Sequence, residues 1–137
     1  MNNKQLRNTI AGVISGLVAY SAIGKLGLYL LQLSWAEYAV HNTDKKYTVT
    51  MLLARLVMGM LAAIAAGIIC AILAKDKGKS AWLVSVIVFL VAAYIHLLTA
   101  VWMEYPVWYH FTYLLPIIPT IMLSHHLAKA IAFRQKG

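Results

Sequence analysis

Four stretches of this chain, residues 10–34, 51–74, 81–103 and 107–133, are almost wholly apolar and run for twenty residues or more. At ~1.5 Å of rise per residue, that is the helix length needed to cross a hydrocarbon layer ~30 Å thick. Lipid offers no partner to a bare N–H or C=O, so such stretches satisfy their backbone internally as helices. The pattern predicts an all-α membrane protein, a four-transmembrane-helix bundle forming one domain over residues 1–137. The connections are too short for a separate soluble module. Composition agrees, with 62% of the 137 residues hydrophobic, 12% charged and a mean hydropathy of +0.75. The first stretch is too long for a cleaved leader and lacks a small-residue cleavage site, so it reads as a span. The single cysteine, Cys70, lies within the second span and has no partner for an internal disulfide.

A net charge of +8 would suggest nucleic acid in a soluble chain. Here the basic residues sit at span ends, where they set orientation and touch anionic lipid, so membrane lipid is the expected partner and nucleic acid is not. Lys4 and Arg7 precede the first span, Lys75, Lys77 and Lys79 fill the second connection, and Lys129, Arg134 and Lys136 close the fourth span. The opposite side has only Lys45 and Lys46, offset by Glu37, Asp44 and Glu104. The positive-inside rule therefore predicts both termini in the cytoplasm, with residues 75–80 as a tight inner hairpin and residues 104–106 as an outer one. Aromatic belts agree: Trp35, Tyr38, Tyr47, Trp102, Tyr105 and Trp108 gather at the outer ends, and Trp82 at the inner one. So uneven a bias argues against the small four-helix exporters and fluoride channels that insert both ways up.

The second span carries Gly59, Ala62, Ala63, Ala66, Gly67 and Cys70 at helical spacing, a smooth stripe on which another backbone can approach closely. Gly12, Gly16, Gly24 and Gly27 offer a weaker stripe on the first span. Pro116 and Pro119 predict a kink near the middle of the fourth, while Val88 on the third reads as lipid-facing.

Ionisable groups at membrane depth usually face a bundle interior or a wet cavity. Lys25 and Tyr29 share a stripe with Ser21 and Gln32 on the first span, and Arg55 lies on the small-residue face of the second. His96 shares a face with Ser85, Ala92 and Thr99, and His110 sits one turn into the fourth span beside Tyr109. All fall in the outer half, with Glu104 and Glu37 at its rim. Two readings compete. In one, the cluster is a hydrogen-bonded plug in which Arg55 pairs with Glu104, its preferred partner, or with Glu37. In the other, it is a basic, aromatic-lined pocket for an anionic headgroup, a carboxylate or a quinone. The candidate binding residues are thus Lys25, Tyr29, Arg55, His96, Glu104, Tyr109 and His110. Haem between His96 and His110 is an alternative, but no second matched pair accompanies them. His96, His110 and Glu104 make a conceivable metal set without a spacing motif, and no metal is expected. His125 and His126 read as interfacial residues. No serine–histidine–acid arrangement, phosphate loop or paired buried carboxylates gives hydrolase or kinase chemistry a footing. The expectation is an accessory or binding subunit without a cofactor, partnered by lipid, another membrane protein or a second copy. A redox or transport component using His96 and His110 on a proton, quinone or haem is the alternative.

Ala54-Arg55-Leu56 followed by Gly59 and Gly67, His96-Leu97 with Trp102, and Pro106-Val107-Trp108-Tyr109-His110 followed by Phe111 and Pro119 carry a resemblance. Over residues 47–127 the chain resembles a family of small, uncharacterised bacterial four-helix integral membrane proteins. Ser124-His125 departs from the Gly-Ala pair common in that family after the last proline. The resemblance implies the fold and a bacterial inner membrane, and adds no activity.

Overall fold

Asn2 starts the first helix: its side chain accepts the Lys4 N–H at 2.7 Å, and the Gln5 side chain reaches back to the Asn2 N–H. In the computed structural model, which describes residues 2–74 and 76–134 (for Phe133 the backbone alone), α1 (Asn3–Ser34) therefore begins well before the apolar stretch. Lys75 and Lys136, counted above in the charge bias, lie outside the described residues. Trp35 is extended and ends α1. A short helix, α2 (Ala36–Asp44), follows where a connection was expected, and Lys45 closes it at φ 60°. Thr48 caps α3 (Val49–Leu73) by accepting the Met51 N–H.

The third span is shorter than expected. α4 (Lys79–Leu98) stops at Thr99, and α5 (Val101–Glu104) is a separate turn of helix. Pro106 then leads into α6 (Val107–Leu114) and α7 (Ile117–Arg134), which together make the fourth span. The predicted break falls at residues 115–116. Pro119 stands in the first turn of α7, where a missing N–H costs least. The described residues contain no strand, and four helices are long and apolar enough to cross a membrane, so the protein is an all-helical, multi-pass membrane protein.

Small residues set the helix contacts, as packing in lipid requires. Along α1, a Cβ on Gly12 would meet Ala74, one on Gly16 Cys70, one on Gly24 Ala62 and one on Gly27 Met58, so α1 follows α3 for most of its length. Gly12 and Gly16 also abut Ser80 and Val84 of α4. α7 lies on the other side of α3, where the Ser124 hydroxyl and the Ile121 carbonyl press against Gly67. Ala66, Cys70, Val84, Val88 and Ile121 fill the common core. Val88 is thus buried rather than lipid-facing.

Asp76 organises the connection from α3 to α4. Its carboxylate accepts the Ser80 N–H at 2.7 Å, the Gly78 N–H at 3.1 Å and the Ser80 hydroxyl at 3.3 Å. Burial pushes its pKa up, but these bonds outweigh burial and hold the carboxyl below its usual range. Lys77 and Gly78 make the tight turn at φ 57° and 95°. Nearby, His125, expected at the interface, is fully buried inside the protein beside Gly78, and among the described residues neither ring nitrogen has a hydrogen-bond partner.

Candidate functional site

The polar cluster forms at the end of the bundle that carries α2 and α5. Arg55, on α3, donates from Nη1 to the Tyr38 hydroxyl at 2.8 Å and to the Tyr47 hydroxyl at 3.2 Å. Tyr47 in turn donates to Asn42 at 2.6 Å, leaving its oxygen free to accept from the guanidinium. The guanidinium carbon also stands 4.8 Å from the Tyr47 ring centre and 5.5 Å from that of Tyr105, a cation–π geometry. Burial pushes the Tyr47 and Tyr105 phenols up, so both stay neutral at physiological pH. Arg55 Nε is buried without a partner among the described residues.

Among the described residues no carboxylate meets this cation. Among the described residues the one side-chain ion pair is His41–Asp44, and Glu37 and Glu104 are both exposed. The expected Arg55–Glu104 pair does not form because the third span breaks at Thr99 and α5 turns Glu104 outward. The Tyr38 and Tyr47 hydroxyls partner Nη1 in its place, without the desolvation of a second charge.

His96 on α4 and His110 on α6 meet through their Nδ1 atoms at 3.0 Å. His110 Nε2 faces the carbonyl oxygens of Trp102 at 3.3 Å and Tyr105 at 3.2 Å. Carbonyls only accept, so with both rings neutral the hydrogen-bond pattern assigns the proton to His110 Nε2. His110 Nδ1 is then an acceptor, His96 Nδ1–H donates to it, and His96 Nε2 keeps an uncommitted lone pair. Stacking fixes both rings, His110 on Trp102 with centres 4.8 Å apart and His96 on Tyr113 at 4.6 Å.

A cavity of about 320 Å³ opens between these groups, lined by Lys25, Arg55, His96, Tyr105, Tyr109 and Tyr113 among others. Its size is at the lower end for a small-molecule site. Of the residues expected here, Arg55, His96 and Tyr109 line it and Lys25 stands exposed at its mouth. His110 lies behind His96, fully buried. Tyr29 is 56% exposed away from the cavity, and Glu104 is exposed on α5. Sequence reasoning missed Tyr20, whose hydroxyl bonds that of Tyr113 at 2.9 Å, and the Tyr38–Tyr47 pair, which it read only as belt residues. Tyr20 was signalled by its place one turn from Gly16 and Gly24, on the face of α1 turned towards α3.

The fit of cofactors can be judged from the histidines. Their nitrogens face each other at hydrogen-bonding distance, leaving no space for a macrocycle between them, so the arrangement does not fit an axial haem pair. Among the described residues no group of three or more His, Cys, Asp or Glu side chains is placed to hold a metal ion. No family model, curated protein or solved structure matches this chain.

Proposed function

We propose that the protein is a binding or accessory subunit of a bacterial inner membrane, with both termini cytoplasmic and the Arg55 cavity opening in the outer half. Its ligand is lipid-like and anionic. The observation that carries this reading is Arg55 itself: a half-buried guanidinium held by the Tyr38 and Tyr47 hydroxyls, beside a cavity, with no acid as counter-ion among the described residues. A charge at membrane depth is costly, and an anionic ligand offsets that cost where a carboxylate would otherwise stand. The site supports binding rather than catalysis, since no nucleophile–base pair accompanies it.

Native mass spectrometry in a mild detergent tests the reading, and reports stoichiometry with it. The wild-type protein should retain an anionic lipid that Arg55→Gln loses while keeping its helical circular dichroism. Equal retention by the two overturns the proposal. Orientation is tested by cysteine labelling in a Cys70→Ala background: an impermeant reagent on intact cells should reach position 44 and not position 77.

A second reading has one observation in its favour. The lone pair of His96 Nε2 suits a proton-carrying ligand such as a quinol, which would make the protein a redox or transport component. A quinone in the organic extract of the purified protein, lost in His96→Phe, would favour it.

A further inference from the structure

α1 is pinned to α4 at one end only. Gly12 and Gly16 bring it against Ser80 and Val84, whereas the glycines further along, Gly24 and Gly27, touch α3 alone. From Leu17 onward a cleft opens between α1 and α4, and a second cavity of about 460 Å³ fills it. Val88 and Ala92 form its buried floor. Ile87, Val91 and Ile95 form its rim and are 37%, 55% and 41% exposed, so the cleft opens sideways, where acyl chains pack. Tyr20, Ser21, Ile95, His96 and Tyr113 line both cavities. The polar chamber and the apolar groove therefore adjoin, and His96 is among the side chains that face both.

We propose that the two cavities form one amphiphile site, reached from within the bilayer, whose occupant is a phospholipid bearing both an anionic oxygen and a hydroxyl in its headgroup, as phosphatidylglycerol does. This deepens the binding reading above and rests on it. Each part of the molecule meets a feature of matching chemistry. The phosphate lies by the Arg55 guanidinium, with Lys25 at the mouth. A headgroup hydroxyl donates to His96 Nε2, the acceptor that the histidine pair leaves uncommitted. An acyl chain runs along Val88 and Ala92. A phosphate ester without a hydroxyl keeps the charge but leaves that nitrogen unpaired. A choline headgroup brings a cation towards two others.

The experiment uses the full-length protein, delipidated in detergent and mixed with equal amounts of phosphatidylglycerol, phosphatidylethanol and phosphatidylcholine of the same acyl chains. Bound lipid is read by native mass spectrometry. Wild-type protein should hold roughly three- to tenfold more phosphatidylglycerol than phosphatidylethanol, the effect of one hydrogen bond, and least phosphatidylcholine. His96→Phe keeps a ring to stack on Tyr113 and should bind the first two equally. Val91→Trp, at the groove rim, should lose several-fold of both, while Leu90→Trp, an exposed neighbour outside the lining, should not. Equal binding of phosphatidylglycerol and phosphatidylethanol by wild-type protein overturns the proposal, as does a Val91→Trp variant that behaves like Leu90→Trp. In either case, loss of lipid in Arg55→Gln would leave the outer-cavity reading standing; retention there would remove both.

Discussion

His96 and His110 share a single hydrogen between their Nδ1 atoms, donated by His96, and His110 spends its own N–H, at Nε2, on two backbone carbonyls exposed by the break at α5. The direction of the chain makes the two rings unequal. His110→Phe removes the partner of three groups at once and should cost ~1–3 kcal/mol. His96→Phe leaves His110 bonded to both carbonyls and should cost less. The double replacement should cost less than the sum, since the interaction is lost only once. Unfolding in a denaturing detergent series measures all three, and strict additivity would show that the rings are not coupled.

The phenol cage makes a similar claim about Arg55. Tyr38→Phe and Tyr47→Phe each remove a hydrogen bond to a charged group and should each destabilise by ~1.5–3 kcal/mol. Glu104→Gln, at an exposed position without contact to the guanidinium, should stay within ~0.5 kcal/mol of wild type. The idea fails if the Glu104 change costs as much as the tyrosine changes in thermal melts.

Two glycines separate close packing from ordinary contact. At Gly67 an added methyl would press on the Ser124 hydroxyl and on the Ile121 carbonyl, which is backbone and cannot turn away. Gly67→Ala should therefore force α3 and α7 apart at a cost of ~1–3 kcal/mol. At Gly24 the nearest atom would be the Ala62 methyl at 3.7 Å, an ordinary contact. Gly24→Ala should be neutral or slightly stabilising, and equal melting shifts for the two would show that the α3–α7 approach is misplaced.

Asp76 supplies a pH signature. Its folded pKa is depressed, so its stabilisation is full above the unfolded carboxyl value of ~3.9 and is lost as pH falls through the lower folded value. Asp76→Asn should cost ~1 kcal/mol at neutral pH through weaker capping of α4. The gap between the two proteins should close below about pH 4. A gap that stays constant down to about pH 2 would mean that the carboxylate charge contributes nothing.

Much of the architecture was legible because lipid leaves the backbone so few options. The four spans, the small-residue seam on α3 and the break near Pro116 all follow from apolar length, glycine spacing and a missing N–H. The convergence of Arg55, His96 and Tyr109 followed from their common depth. What escaped was whatever depended on how the ends of the spans turn. α2 lies in a mixed polar segment with no apolar run to announce it, yet it carries the fully buried Tyr38 to Arg55. The stop at Thr99 is equally quiet in sequence, and it moves Glu104 from a hairpin position facing Arg55 to an exposed one. Nothing in the place of His125 near the inner end of the fourth span announced that the approach of α7 to Gly67 and the Gly78 turn would bury it.

That Arg55 is countered by phenols and not by an acid has an electrical consequence. In the proposed orientation the Arg55 guanidinium keeps an uncancelled positive charge within the field that an energised membrane maintains, where a charge crossing the whole layer gains or loses ~2.3 kcal/mol per 100 mV. A carboxylate beside Arg55 would have cancelled that charge and left an anion little reason to enter. As built, an anion arriving from the aqueous side carries charge through whatever fraction of the field lies between the surface and Arg55. Its affinity should then shift with membrane potential, and in the proposed orientation an interior-negative potential weakens it. A lipid whose phosphate slides in at its own depth within the leaflet crosses almost none of that field. The same guanidinium thus favours supply from the bilayer over supply from solution whenever the cell is energised.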